Sequence, residues 1–424
     1  MALGNGDIGL IYYFAKKKMR TLFFKIVFTC LAFWFTDVNA QELMNYQQPR
    51  DYEMPPKMIP TVRKYWVSLP KDYNETTDRY PIIFLFDGDE QFLRNLILFD
   101  TDQLTKNGEI PPCIIVGIIQ RNRALDFGPL YAGKSNPNSS KVNGDKFFDF
   151  LKEEFLPELK KNYRTQDFKI GIGHSLGGLF LLNSFTKDPG FFNGIIAVSP
   201  ALEMNRDSTL FSNLQKTLRT KLGKQTFFCW SSGTDGINEV TFRPASKELA
   251  KLLADNPNPL FRYKYVDLPG KYHNNTPLYT MLDAFGFLFA DWDIAKWYRS
   301  LFYDKNVEPI AANEQRNTLI KKLYGFDEDP TEDRIQNNVG SELVKKKKYA
   351  EALPYLKKAA QMKPNSSGYN EDLSEVEENL KDYPAALTAL KAALANLDKS
   401  ADDYKERSDK YQTGIKRLEG LIKP

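Results

Sequence analysis

Lys169-Ile170-Gly171-Ile172-Gly173-His174-Ser175-Leu176-Gly177-Gly178-Leu179-Phe180-Leu181-Leu182 is the stretch that decides the fold. Ile170–Ile172 reads as a strand ending at Gly173, and Leu176 opens an apolar helix. A bare Gly-x-Ser-x-Gly arises by chance in about one chain in ten of this length at average composition. Strand, sharp turn and helix together are the context in which a serine hydroxyl is presented at the carboxyl end of a strand. The glycines belong there because strand and helix nearly collide, leaving no room for a Cβ. A serine nucleophile also needs an imidazole that titrates near working pH. The chain has only two histidines, His174 and His273. His174 is the chain neighbour of Ser175, and neighbouring side chains in a tight turn point apart. If Ser175 is a nucleophile, His273 is its base.

Outward from this turn, apolar runs alternate with helical stretches between about residues 57 and 300. That alternation predicts an α/β fold, a doubly wound and mainly parallel sheet with helices on both faces. Predicted strands are Thr61–Leu69, Ile82–Phe86, Ile114–Ile119, Lys169–Gly173, Gly194–Val198, Thr226–Ser231 and Arg262–Leu268. Several are continuous Ile/Val/Phe runs, as central strands buried on both faces should be. Predicted helices cover Lys146–Asn162, Leu176–Thr186, Arg243–Ala254 and Pro277–Trp297, and Asn122–Asn143 reads as a long polar loop.

Six segments in order carry a resemblance. They are Phe84-Leu85-Phe86-Asp87-Gly88-Asp89, Phe155-Leu156-Pro157, Asn162-Tyr163-Arg164-Thr165, the Gly173–Gly178 turn, Ile196-Ala197-Val198-Ser199-Pro200 and Tyr272-His273-Asn274. Residues 57–300 resemble the putative-esterase branch of the α/β-hydrolases, which holds siderophore, feruloyl and acetyl-xylan esterases and mycolyltransferases. The resemblance implies a triad in the order Ser175, acid, His273. The acid belongs after strand Thr226–Ser231, where Asp235 is the first choice and Glu239 the second; some relatives use a serine–histidine dyad. The oxyanion hole would take the amide of Leu176, next to the nucleophile, and by resemblance that of Asp89. The carboxylates of Asp87 and Asp89 are expected to brace their turn. Arg121, Arg123 and Phe127 resemble a loop that reaches the substrate, although the arginines fit ion pairs equally well. Ala201-Leu202-Glu203-Met204 stands where relatives carry aromatic residues, which weakens any case for aromatic-ester specificity.

From Met19, two basic residues (Arg20 and Lys25), the apolar run Ile26–Phe35 and Val38-Asn39-Ala40 read as a secretory signal cleaved after Ala40. Residues 1–18 then form an extension upstream of an alternative start, and the apolar run is short for a membrane span. Removal of residues 1–40, with five basic and two acidic residues, lowers the formal charge from +4 to +1. Neither value suggests a nucleic-acid or anionic-membrane partner. Cys113 and Cys229 lie in apolar runs and are expected to be buried free thiols. With two histidines, the sequence supplies no metal cluster and implies no cofactor.

Beyond about Asp304 the strand signals stop. Tyr349, Ala352, Leu356 and Ala359 recur 34 residues later as Tyr383, Ala386, Leu390 and Ala393. This period, with Gly340 and Pro364 at the small and closing positions, resembles tetratricopeptide repeats. The second copy departs at both places, with Ser374 and Asp398. The expected organisation is an extension and signal (1–40), an esterase domain (41–303), a linker (304–332) and a helical repeat domain (333–424) that could take a protein partner. The expected function is a periplasmic or secreted serine esterase acting on a small-molecule or glycan-linked ester. A mycolyl-type acyltransferase and a non-catalytic ligand-binding protein are the alternatives.

Overall fold

The computed structural model describes residues 45–120, 122–128, 144–205, 210–304, 306–326 and 329–422. The predicted signal segment, Arg121 and most of the polar stretch Asn122–Asn143 lie outside them. The described residues form eight strands: β1 (Arg50–Met54), β2 (Arg63–Ser68), β3 (Tyr80–Phe86), β4 (Ile114–Ile118), β5 (Thr165–His174), β6 (Gly194–Val198), β7 (Thr226–Ser232) and β8 (Phe261–Asp267). They make one sheet in the order β1-β2-β4-β3-β5-β6-β7-β8. Only β2 runs against its neighbours, β1 and β4, and all other pairs are parallel. β1 carries no continuous apolar run and was not predicted.

The helices between the strands are α1 (Gln91–Asn107), α2 (Arg123–Phe127), α3 (Gly144–Phe150), α4 (Leu156–Asn162), α5 (Leu176–Lys187), α6 (Leu210–Leu218) and α7 (Ile237–Asp255), and α8 (Thr276–Leu288) follows the last strand. α3 and α4 are joined by a π-helical stretch, Leu151–Phe155. Period-two alternation sends Ile82, Phe84 and Phe86 of β3 into a core with α3, α5, α6 and α7. Ile83 and Leu85 enter a second core with α1 and α8 on the other face. β4 and β5 flank β3, so the chain leaves β3 in one direction and later returns on the other side. Such a switch point opens a crevice beyond the carboxyl ends of the strands, the favoured place for a ligand in open α/β sheets.

Several predicted boundaries move; the helix predicted from Arg243 starts at Ile237. Pro277–Trp297 is not one helix: α8 ends at Leu288, and α9 (Ile294–Tyr303) starts afresh where Asp293 accepts a bond from the Lys296 amide (2.8 Å). The predicted linker contains α10 (Pro309–Tyr324). Its Ile320, Leu323 and Tyr324 complete the second core, and the Tyr324 hydroxyl donates to the Leu288 carbonyl (3.0 Å). The helical region continues as α11 (Glu332–Lys345), α12 (Tyr349–Met362), α13 (Ser367–Asn379), α14 (Tyr383–Ala395) and α15 (Tyr404–Ile422). A Cβ on Gly340 would lie 2.5 Å from the Leu356 side chain, so α11 and α12 touch closely there. At the matching place between α13 and α14, Ser374 donates its hydroxyl to the Ala386 carbonyl (2.8 Å). Among the described residues, no helix is long and apolar enough to cross a membrane.

Candidate active site

β5 delivers Ser175 to the head of α5 through a backbone that an L-residue seldom adopts, with φ +58° and ψ −113°. The strain is held from three sides. The Ser175 amide donates to Val198 O (2.8 Å), and its carbonyl accepts from Leu179 N and Ala201 N (both 3.1 Å). Gly173 is required: a Cβ there would lie 2.4 Å from the backbone of Gly177. The Leu176 amide is in the first turn of α5, where helix amides favour negative charge.

His273 sits in a single 3-10 turn, His273–Asn275, between β8 and α8. Its Nδ1 lies 2.7 Å from Glu239 Oε1 and 3.2 Å from Ser199 Oγ. The carboxylate only accepts, so Nδ1 carries the proton and Nε2 keeps the lone pair. Glu239 is 0% exposed. Its Oε1 also accepts from the Ser199 hydroxyl, and its Oε2 from the Gly233 amide (2.5 Å). Burial alone would raise its pKa, but the bonds from His273, Ser199 and Gly233 prevail and hold it below the usual carboxylate value. Asp235 does not meet the imidazole. It accepts from the Thr234 hydroxyl (2.6 Å), and its amide donates to Lys271 O (3.1 Å). The preference for Asp235 is therefore corrected to Glu239. The physical reason is that α7 begins at Ile237, so Glu239 stands on its first turn and projects beneath the histidine loop.

The turn after β3 carries Asp87 at φ +58°, with Gly88 N donating to Ile118 O (2.8 Å) and Trp66 Nε1 donating to Gly88 O (2.7 Å). Asp89 lines the cleft beside Ser175 and His273. The Asp87 carboxyl is buried, which raises its pKa, and the Arg123 guanidinium offsets part of that rise. Arg123 donates through Nε to Asp87 Oδ1 (2.6 Å) and through Nη2 to His174 O (2.8 Å). It reaches the cleft, yet these bonds spend it on structure. Phe127, expected at the substrate, is 0% exposed and packs against Phe86, Phe147 and Phe180. That expectation is corrected: α2 turns its aromatic face into the first core.

His174 faces His273. The rings of His174 and His273 lie 4.4 Å apart, and His174 Nε2 is 3.1 Å from His273 O. Burial, helped by the neighbouring His273, pushes its pKa down to about 3. Ser199 was missed as a contributor, although Ser199-Pro200 directly follows β6 and its φ of +39° marks a third turn of positive φ beside those of Ser175 and Asp87. Asp87, Asp89, Gln120, Arg123, His174, Ser175, Asn238 and His273 share the lining of a cleft of about 700 Å³. No group of three or more His, Cys, Asp or Glu among the described residues is arranged to hold a metal.

Residues 57–235 match the model of the family described as putative esterase. Ferri-bacillibactin esterase BesA of Bacillus subtilis is 31% identical over 146 residues, or 30% of this chain and 50% of that protein. The chain spans about half the length of the curated relatives it matches. An IroE-like serine hydrolase from Shewanella oneidensis aligns with a TM-score of 0.60 at 18% identity, over 79% of this chain and 100% of that one. A protein from Capnocytophaga ochracea aligns with a TM-score of 0.59 at 17% identity, over 88% and 100%. At these identities the structural likeness is one of fold.

Proposed function

We propose that the protein is a serine esterase working through an acyl-enzyme, a reading supported by the match of residues 57–235 to the putative-esterase family. The observation that carries the reading is the 2.7 Å contact of His273 Nδ1 with buried Glu239, in the cleft that also holds strained Ser175. Ser175 Oγ attacks the ester carbonyl carbon while its proton passes to His273 Nε2. Glu239 holds the Nδ1 proton and stabilises the imidazolium. The amides of Leu176 and Asp89 receive the developing oxyanion. Collapse breaks the carbon–oxygen bond, and His273 returns the proton to the departing alcohol. A water molecule, deprotonated by His273, then attacks the acyl-Ser175 carbonyl; the bond from the acyl carbon to Ser175 Oγ breaks, His273 returns the proton to Oγ, and the carboxylic acid leaves.

The name of the Bacillus subtilis relative supports a siderophore-type ester as substrate. A glycan-linked ester is the second choice. The N-terminal sequence supports a periplasmic or secreted location, and the 34-residue period supports a tetratricopeptide-type surface for a protein partner. The deciding experiment is a panel of catecholate trilactone (iron-free and iron-loaded), feruloyl sugar and p-nitrophenyl acetate, given to wild type and Ser175→Ala. Turnover of at least one ester should be lost in the variant by a factor on the order of 10³ or more. Equal turnover by both proteins overturns the reading.

A further inference from the structure

We propose that His174 is a positioning residue, tying the backbone of the base to the backbone of the nucleophile; this rests on the esterase reading above. The tie is a single hydrogen bond with a defined direction. His273 O only accepts, so His174 Nε2 carries the hydrogen and donates to it at 3.1 Å. His174 therefore occupies one tautomer, with Nδ1 bare. The same carbonyl accepts a second bond from Thr276 Oγ1 at 2.8 Å. That second bond spans three residues of one turn, so it shapes the histidine loop without placing it. Longer links place the loop, among them those of the His273 ring to Glu239 and Ser199 and that of the Gly270 amide to the Thr234 hydroxyl (2.7 Å). Lys271 O accepts from the Thr234 and Asp235 amides, joining the loop to the segment ahead of Glu239. His174 joins it to the residue beside Ser175.

The link continues behind His174. Arg123 Nη2 donates to His174 O, and Arg123 Nε holds Asp87, the residue that opens the turn carrying Asp89. One chain of bonds thus runs from the oxyanion turn through the nucleophile elbow to the base. An imidazole suits this post because it stays neutral: buried, with its pKa near 3, it puts no charge against an imidazolium on His273 4.4 Å away. Arginine or lysine at position 174 would donate the same bond but would oppose the charge His273 takes up during attack.

His174→Gln and His174→Met test the tie, since the two side chains are close in length and only glutamine can donate. Glutamine should keep kcat within about threefold of wild type, whereas methionine should lose about 10- to 100-fold in kcat with KM unchanged. Equal kcat for the two variants overturns the inference. Should methionine prevent folding, wild-type protein labelled with ¹⁵N-imidazole histidine answers alone, because the whole chain contributes just two rings. One ring should hold the Nε2–H tautomer, unprotonated from about pH 5 to about pH 9. A His174 ring found as the Nδ1–H tautomer, or titrating in that range, overturns the inference. Wild type that neither cleaves any ester nor labels at Ser175 with a fluorophosphonate defeats the esterase reading instead, and the tautomer still decides whether the tie exists.

Discussion

A carboxylate that orients an imidazole must remain ionised although buried, and Glu239 does so by accepting three hydrogen bonds. Glu239→Gln keeps the shape but offers the imidazole an amide, which favours the wrong tautomer. It should lower kcat by about 10³- to 10⁴-fold, as loss of the acid does in a serine triad. Asp235→Asn should leave kcat within about twofold, because its carboxylate contacts Thr234 and not His273. Steady-state kinetics on the two variants decides between the carboxylates. The lowered pKa of Glu239 also fixes a sign for stability. Its ionised form stabilises the fold above the unfolded value of about 4.3, and that contribution is lost as pH falls through the lower folded value. Melting temperatures of wild type and Glu239→Gln should therefore differ most above about pH 5 and converge in stronger acid.

Elements were legible in the sequence where periodicity is strong and less so at their ends. Several central strands, β3, β4 and β6 among them, are continuous apolar runs, and seven predicted strands correspond to seven of the eight in the sheet. The choice of acid failed at an element boundary. Pro244 lies inside α7, where it removes an intrahelical donor, and a proline at that spacing reads naturally as the start of a helix. Starting α7 near Arg243 leaves Glu239 in a loop; starting it at Ile237 puts Glu239 on a rigid turn. The contacts of His174 and Ser199 were not legible because they join residues 99 and 74 positions apart. Helix glycines show the same limit of local reading. A methyl added at Gly286 in α8 would have nothing within 4 Å, while one at Gly340 in α11 would have Leu356 at 2.5 Å. Gly286→Ala should raise stability by about 0.5–1 kcal/mol through helix propensity. Gly340→Ala should lower it by about 1–3 kcal/mol through overpacking, despite the same propensity gain. Urea denaturation of both variants checks the opposite signs.

At the scale of the whole molecule, the C-terminal helices are joined to the sheet through its second core. Phe168 of β5 and Phe227 of β7 pack on Tyr324 of α10, with ring centroids 5.4 and 5.6 Å apart. Arg316 of the same helix pairs with Asp329 (2.7 Å) beneath Trp292. On the edge of this junction, the segment ahead of β3 brings Asp72 and Asp78 toward Asp333 of α11, with Lys363 bonded to Asp72 and Asp333 at 3.0 and 3.3 Å. One lysine thus faces three carboxylates. Asp78 bears the consequence: burial first, then repulsion from Asp333, raises its pKa to about 6, with Lys363 offsetting only part. A folded pKa above the unfolded one means that the protonated form favours folding. Its contribution is full below about pH 3.9 and is lost as pH rises through about 6. Asp78→Asn removes the ionisation and keeps a neutral side chain in the same place. The variant should melt with wild type near pH 4 and at a higher temperature than wild type above about pH 7. Melting curves across that range check it, and a variant no more stable than wild type at neutral pH would show that Asp78 is not held at a cost in the native junction.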